Sequence, residues 1–280
     1  MAVRPELILD TRTISAEALA TMPHAIAATL DDILPLLASP DSGAALSRVD
    51  AALSDGVHSY PLKADVALLL PARLHPHFTD RLTVPPAYGY DAFMQYFLLS
   101  SIKQYGETNA ASVNVHYERH LHRMRDFCRD ASGLVLDIGC DDPHIGASLL
   151  PASASYVGLD PFCTRTSPFR LIGVGEYLPF QNDTLDGVMY NTSLDHLLDW
   201  HRGIDEAFRV LKPGGALYLC TLIWTTRADL LADAVHFHHF REYEILGGLA
   251  AAGFIIEDTR CYDYKGDAHR HGIYVRARKP

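Results

Sequence analysis

Between Leu134 and Gly215 four segments follow one another in fixed order: LVLDIGCDDPHIG, YVGLDPF, GEYLPFQNDTLDGVMYNTSLDH and RVLKPGGALYL. The first opens with the apolar run Leu134 to Ile138, which carries Asp137 near its end and is followed by Gly139. A buried parallel strand reads this way when its carboxyl end opens onto a ligand crevice. A second apolar run, Tyr156 to Leu159, ends in Asp160. An acid about 20 residues beyond the first strand–helix turn is positioned to accept hydrogen bonds from ribose hydroxyls. The series predicts an α/β domain that binds a nucleoside.

In the order and wording of these motifs the chain resembles the class I S-adenosylmethionine-dependent methyltransferases, particularly the small-molecule type with a DxGCGxG loop and an LPF…D…LEH…LKPGG series. The resemblance covers residues 131 to 280. It implies a Rossmann-like seven-stranded methyltransferase sheet with one antiparallel strand, and S-adenosyl-L-methionine as cofactor. It also implies that Asp137, Gly139, Cys140, Asp160, Pro161, Glu176, Tyr177 and Asn191 surround that cofactor. Two departures stand out. Asp141 and Pro143 occupy places where the family usually has glycine, and Val174 stands where it often has an acid that reads adenine, with Glu176 two residues on as the substitute.

Glycine in such a loop permits positive φ and close approach of the backbone to a ligand. Asp tolerates the left-handed region better than most residues, so Asp141 suits the altered loop. Pro143, with φ fixed and no N–H, suits the first turn of the following helix. Asp141 and Asp142 add negative charge where helix N-terminal amides would favour the cofactor's carboxylate. A non-catalytic scaffold or activator with weakened cofactor binding is therefore the alternative to an active enzyme. A nicotinamide-dependent oxidoreductase ranks last, because Gly139 to Gly146 does not supply GxGxxG.

The chain has 280 residues and a formal net charge of −10. That balance argues against nucleic acid as partner, since phosphate binding needs a concentrated basic surface. A local cluster at Arg119, Arg123, Arg125 and Arg129 reads as a solvated helix face. The five cysteines are widely spaced and form no CxxC pair, so neither zinc nor a disulfide framework is signalled. No segment has the composition of a signal peptide or reaches the roughly 18 apolar residues of a membrane span. No membrane partner and a cytoplasmic location are expected by default, and a homodimer is left open.

Residues 1–29 form an N-terminal extension that mixes an apolar strand-like start, Leu7-Ile8-Leu9, with an Ala-rich helical segment and carries no recognisable chemistry. Residues 30–75 resemble a small zinc-ribbon domain found as partner or prefix of some methyltransferases. The match lies in Ser39-Pro40, Asp41-Ser42-Gly43, Leu46, Tyr60-Pro61-Leu62 and Leu68-Leu69-Leu70-Pro71, with all four cysteine ligand positions gone. The resemblance implies a small α+β prefix domain without metal, held together by packing. The rival reading is an unrelated β-rich prefix. Residues 76–130 read as a linker followed by two helical patterns, Tyr90 to Tyr105 and Ala110 to Arg129. The second has Val113, Tyr117, Leu121, Met124 and Phe127 on one face. In the family such a helix lies over the cofactor mouth, which makes His116, Tyr117 and His120 candidate lid residues.

Beyond it, strands are expected near 134–138, 155–159, 169–174, 185–190, 215–222, 254–261 and 272–277. The short connection between the last two requires them to be antiparallel. Methyl transfer to an O–H or N–H acceptor needs alignment and often a base, and histidine titrates near neutrality. His196, in Ser193-Leu194-Asp195-His196, and His236 and His239, in the segment His236-Phe237-His238-His239-Phe240, are the candidate catalytic residues. No metal is expected, because no carboxylate or cysteine follows the histidines at a convincing spacing. The expected reaction is methylation of an O or N atom of a small molecule or sugar in a biosynthetic pathway.

Overall fold

The computed structural model describes residues 7–63, 66–74, 115–161, 170–225 and 236–280, without the side chains of residues 115, 116 and 170. The first expected helix, Tyr90 to Tyr105, lies outside the described residues, as do Cys163 and most of the linker. Among the described residues no helix is long and apolar enough to cross a membrane.

The seven expected strands are all present. They are β7 (Gly133–Ile138), β8 (Ala154–Leu159), β9 (Arg170–Leu171), β10 (Leu185–Asn191), β11 (Leu211–Trp224), β12 (Ile255–Asp263) and β13 (Arg270–Arg278). β9, β8, β7, β10 and β11 run parallel, β13 pairs antiparallel with β11, and β12 pairs antiparallel with β13. One reversed strand thus sits inside an otherwise parallel sheet. The N-terminal extension adds two short strands, the first at the strand-like Leu7-Ile8-Leu9 start and the second without a signal in the sequence. β1 (Leu7–Ile8) pairs parallel with β12 at one edge, and β2 (Ile26–Ala27) pairs parallel with the start of β8 at the other. Both ends of the sheet are covered by the same 29-residue stretch, which leaves less open edge for pairing with another chain.

Alternation along each strand builds two cores, as a period of two requires. Val135, Met189, Tyr218 and Tyr274 face α1 (Ala16–Thr21), α3 (Val115–Phe127) and α4 (Pro143–Leu149), where Leu19, Leu121, Met124, Ala147 and Leu149 are buried. Leu136, Ile138, Val188, Leu217 and Val275 face the opposite layer. That layer holds α5 (Trp200–Val210) and α6 (Glu242–Ala251). Asp199 caps α5 by accepting from Arg202 N–H at 3.1 Å, and Glu244 accepts from Arg241 N–H at 2.6 Å at the start of α6. Each cap satisfies a backbone donor that the helix leaves free.

The prefix is β3 (Ser47–Val49), β4 (Ala52–Ser54), β5 (Ser59–Lys63) and β6 (Val66–Ala67), an antiparallel meander preceded by the single-turn helix α2 (Leu30–Ile33). A hydrogen-bonded knot fastens it. Ser39 Oγ is 2.6 Å from Tyr60 Oη, which donates to Asp41 at 2.7 Å. Ser42 Oγ donates to Asp55 at 2.6 Å, and His58 Nδ1 is 3.1 Å from the same carboxylate oxygen. Burial works to raise the Asp55 pKa, but the donors of Ser42 and His58 outweigh it and hold the group well below the carboxylate range. Leu37, Leu53, Tyr60 and Leu69 belong to the same buried cluster as Leu136 and Val188. Ile172 N–H donates to Ala67 O at 2.9 Å, and Leu69 N–H to Ile172 O at 2.7 Å. The prefix and the large sheet share one continuous core.

Of the four clustered arginines Arg129, 61% exposed just beyond α3, is solvated as expected, but Arg123 and Arg125 are not. Arg123, 8% exposed, donates to the carbonyls of Asp10 and Asp263 and stacks over Tyr262 at 4.6 Å. Arg125 reaches the carbonyls of Ser148 and Pro23. They tie α3 to the N-terminal extension and to its neighbours, a use of guanidinium forks that a sequence cluster does not reveal.

Candidate functional site

The carboxyl ends of β7, β8, β10 and β11 open into a cavity of about 620 Å³. The loop after β7 builds its floor. Gly139 has φ +75° and Asp141 φ +42°, so the two residues expected to take left-handed conformations do so. A Cβ on Gly139 would lie 2.5 Å from Ser193 Cβ, so only glycine fits there. Ser193 donates to the carbonyl of Ile138 and closes the loop onto the end of β10. Pro143 occupies the first position of α4, and Asp142 caps that helix by accepting from His144 N–H at 3.0 Å. The charge of Asp142 is therefore engaged at the helix start.

The two strand-end acids are fixed differently. Asp137, 1% exposed, accepts from Tyr156 Oη at 2.9 Å, and a Cβ on Gly146 would lie 2.2 Å from its Oδ2. Asp160, at the tip of β8, accepts from Asp141 N–H at 2.9 Å and lines the cavity beside Pro161. Cys140 is buried, its sulfur pressed against Gly158 of the neighbouring strand.

Glu176 lines the cavity and is 2% exposed. Its Oε1 accepts from Leu198 N–H at 2.8 Å and Asp199 N–H at 3.3 Å, which anchors the turn into α5. Burial raises its pKa to about 7 against those bonds. Asn191, at the end of β10, meets the lid helix. His120 Nε2 is 2.8 Å from Asn191 Oδ1, and His120 Nδ1 is 2.9 Å from Tyr274 Oη. Burial lowers the His120 pKa to about 4. The imidazole is thus neutral at pH 7, with Nε2–H donating to Asn191 and Nδ1 accepting from the tyrosine.

Of the expected site residues, Asp137, Gly139, Cys140, Asp160, Pro161, Glu176, Asn191, Tyr117, His120, His196 and His236 line this one cavity. Of the remaining three, two do not join them. Tyr177 is turned away, its ring between Arg202 at 4.1 Å and Arg73 at 4.9 Å, and its hydroxyl accepts from Arg73 at 2.7 Å. His239 packs against Trp224 at 5.1 Å and is not among the lining residues. The side chain of His116 lies outside the described residues. His238, within the same segment, has its Nε2 2.9 Å from Leu197 O.

The sequence reading missed Asp195, Thr221 and Tyr274, all of which line the cavity. Thr221, 1% exposed, interrupts a run of apolar residues on β11, and its Oγ1 is buried without a hydrogen-bond partner. Asp195 presents a buried Oδ1 that also lacks one. Its neighbours are His196 and His236, whose rings lie 4.6 Å apart. Of the charged residues lining the cavity, Asp137, Asp141, Asp142, Asp160, Glu176, Asp195 and Asp263 are acidic, against Arg119, Arg123 and Lys265. Such an excess of carboxylates favours a ligand bearing a fixed positive charge.

Residues present therefore fit S-adenosylmethionine: a glycine turn with no room for a side chain, an acid at the tip of β8, and an acidic field for a sulfonium. Comparison with known proteins agrees in fold and family. The profile of the family described as "Methyltransferase domain" matches residues 90–258. A ubiquinone/menaquinone biosynthesis C-methyltransferase, UbiE, of Geobacter sulfurreducens is 34% identical over 136 residues, covering 42% of this chain and 52% of that protein. An uncharacterized methyltransferase of Mycobacterium tuberculosis is 30% identical over 109 residues, 36% of this chain and 43% of that one. The chain thus spans about half the length of the curated relatives it matches. Among solved structures, the Burkholderia thailandensis 1,6-didemethyltoxoflavin-N1-methyltransferase with bound S-adenosylhomocysteine is similar in fold. Its TM-score is 0.55 at 16% identity, covering 72% of this chain and 98% of that one. The profile match takes in well over half of the chain, and the chain belongs to the methyltransferase domain family.

Proposed function

We propose that the protein transfers the methyl group of S-adenosylmethionine to an oxygen or nitrogen atom of a small molecule or sugar in a biosynthetic pathway. The observation that carries this reading is the pairing, across one cavity, of the Gly139 and Asp160 cradle with the Asp195, His196 and His236 cluster. The cradle suits a nucleoside and the cluster suits an acceptor that must lose a proton. When bound, the cofactor supplies a methyl group on a positively charged sulfur, a good leaving system that needs no covalent enzyme intermediate. Asp160 would hold the ribose hydroxyls, the backbone around Gly139 the amino-acid end, and Asp137 would support that turn from beneath. His196 and His236 orient the acceptor and take up its proton.

Residues 30–75 are read as a metal-free module that buttresses the sheet through their shared core. The acidic balance supports a small acceptor over a nucleic acid. The likeness to quinone C-methyltransferases raises carbon as a competing acceptor atom. The scaffold reading keeps one specific support: Asn191 and the lid helix are already engaged with each other through His120.

The test is incubation of the protein with isotopically methyl-labelled S-adenosylmethionine and a panel of phenols, sugars, amines and quinols, read by mass spectrometry and NMR of the product. Labelled product with one equivalent of S-adenosylhomocysteine supports the enzyme reading, and the methyl chemical shift assigns the atom. Binding of S-adenosylhomocysteine without turnover on any acceptor supports the scaffold instead.

A further inference from the structure

The loop after β10 and the segment before α6 are laced together. Phe237 N–H donates to Asp195 O at 2.9 Å, and His238 Nε2 is 2.9 Å from Leu197 O. Lacing brings one side-chain ligand atom from each of Asp195, His196 and His236 within 4.8 Å of the others. All three residues line the cavity. The carboxylate oxygen Oδ1 of Asp195 is buried there with no hydrogen-bond partner. A buried carboxylate oxygen without a donor is costly, and natural structures keep such groups where an ion or ligand completes them.

We infer that Asp195, His196 and His236 form a divalent-cation site on the acceptor side of the cavity. Two imidazoles and one carboxylate are the donor set of zinc and of the neighbouring first-row divalent ions. Bonds of about 2.0–2.1 Å bring ligand atoms to roughly 3.0–3.5 Å from one another, so side-chain rotations of about an ångström close the set. Three protein ligands leave one coordination position open on a four-coordinate ion and more on a six-coordinate one, and all three residues line the cavity. The matching acceptor is a molecule with two adjacent oxygens, which occupies two open positions at once. This deepens the acceptor half of the proposed function and rests on the methyl transfer there: with both imidazoles held by the ion, the ion in place of a histidine base would favour ionisation of a coordinated acceptor oxygen, whose proton leaves to solvent. Sequence spacing concealed the set because His236 is 40 residues beyond His196, and the carboxylate comes from the other loop.

The experiment is titration of the chelator-treated 280-residue chain with Co²⁺, followed by visible absorption and calorimetry, with S-adenosylhomocysteine binding measured in parallel. One saturable equivalent with visible d–d bands, displaced by Zn²⁺, is expected. Asp195→Asn and His236→Gln should each weaken it at least tenfold while the far-ultraviolet circular dichroism stays unchanged. In the wild-type chain, bound Co²⁺ should also shield His196 and His236 from diethylpyrocarbonate, read by peptide mass spectrometry, a measurement that needs no variant. Absence of a saturable equivalent, retention of it in both variants, or unchanged labelling of these two histidines overturns the cation site. S-adenosylhomocysteine binding that persists in that case leaves the methyltransferase reading standing, whereas its loss in the wild type overturns that reading independently.

Discussion

His120 and Asn191 join the helix over the cavity to the strand beneath it, through an Nε2 to Oδ1 contact of 2.8 Å. The tyrosine hydroxyl on the other ring nitrogen, 2.9 Å away, completes a relay from α3 through β10 to β13. The tyrosine contact, with Nδ1 as acceptor, requires the neutral ring, which burial maintains.

The pH dependence of stability follows from that requirement. Burial lowers the His120 pKa from 6.5 to about 4. Above the unfolded value neither state is protonated and the contribution is complete. As pH falls from 6.5 towards 4 the unfolded chain takes up a proton that the native state refuses, so stability drops by up to about 2–3 kcal/mol. Chemical denaturation of the wild type and of His120→Gln at pH 8 and pH 5 measures this. The wild type should lose more stability than the variant over that interval.

Glu176 carries the opposite sign. Burial raises its pKa from 4.5 to about 7, so its contribution is complete below 4.5 and is lost as pH rises through 7. Glu176→Gln keeps an oxygen for Leu198 N–H and Asp199 N–H and removes the ionisation. This variant should gain stability relative to the wild type at pH 8 and show little gain at pH 5. Glu176→Ala should destabilise by about 1–3 kcal/mol at both, because two buried donors lose their acceptor. Thermal melts at the two pH values distinguish the cases.

Gly139→Ala should be severe. Its φ of +75° disfavours a side chain, and the added methyl would lie 2.5 Å from Ser193 Cβ. The expected cost is about 2–4 kcal/mol in stability, with loss of nucleoside binding. Urea denaturation and ligand titration of the variant read both.

The shared core predicts that the prefix does not unfold alone. Tyr60, fully buried and bonded to Ser39 and Asp41, packs in the same cluster as Leu136. Tyr60→Phe should lower the single calorimetric transition of the entire chain, with no separate low-temperature step. Two resolved transitions would contradict this coupling.

Strands β7, β8, β10 and β11 were legible because each is a short apolar run closed by a turn residue, a signal that depends only on neighbours in sequence. The reversed pairing of β12 and β13 was legible because their connection is too short for a crossover. β1 was legible as the apolar start Leu7-Ile8-Leu9 but its pairing was not, and β2 was not legible at all, since Leu7–Ile8 and Ile26–Ala27 are two-residue strands whose partners lie more than a hundred residues away. Among the cavity acids, Asp137 and Asp160 were legible as strand ends. Tyr177 and His239 misled because adjacency to Glu176 and His238 does not fix side-chain direction: one ring is held between arginines, the other against Trp224. Asp195 was passed over because its meaning lies in His236, which only the lacing of two loops brings near.

The central claim, that the cavity holds S-adenosylmethionine through Asp160, is tested most directly by calorimetric titration of the wild type and of Asp160→Ala with S-adenosylmethionine and S-adenosylhomocysteine. Saturable one-to-one binding of both ligands to the wild type, weakened at least tenfold in the variant, is expected. Absence of binding to the wild type, or equal binding to both proteins, would contradict it.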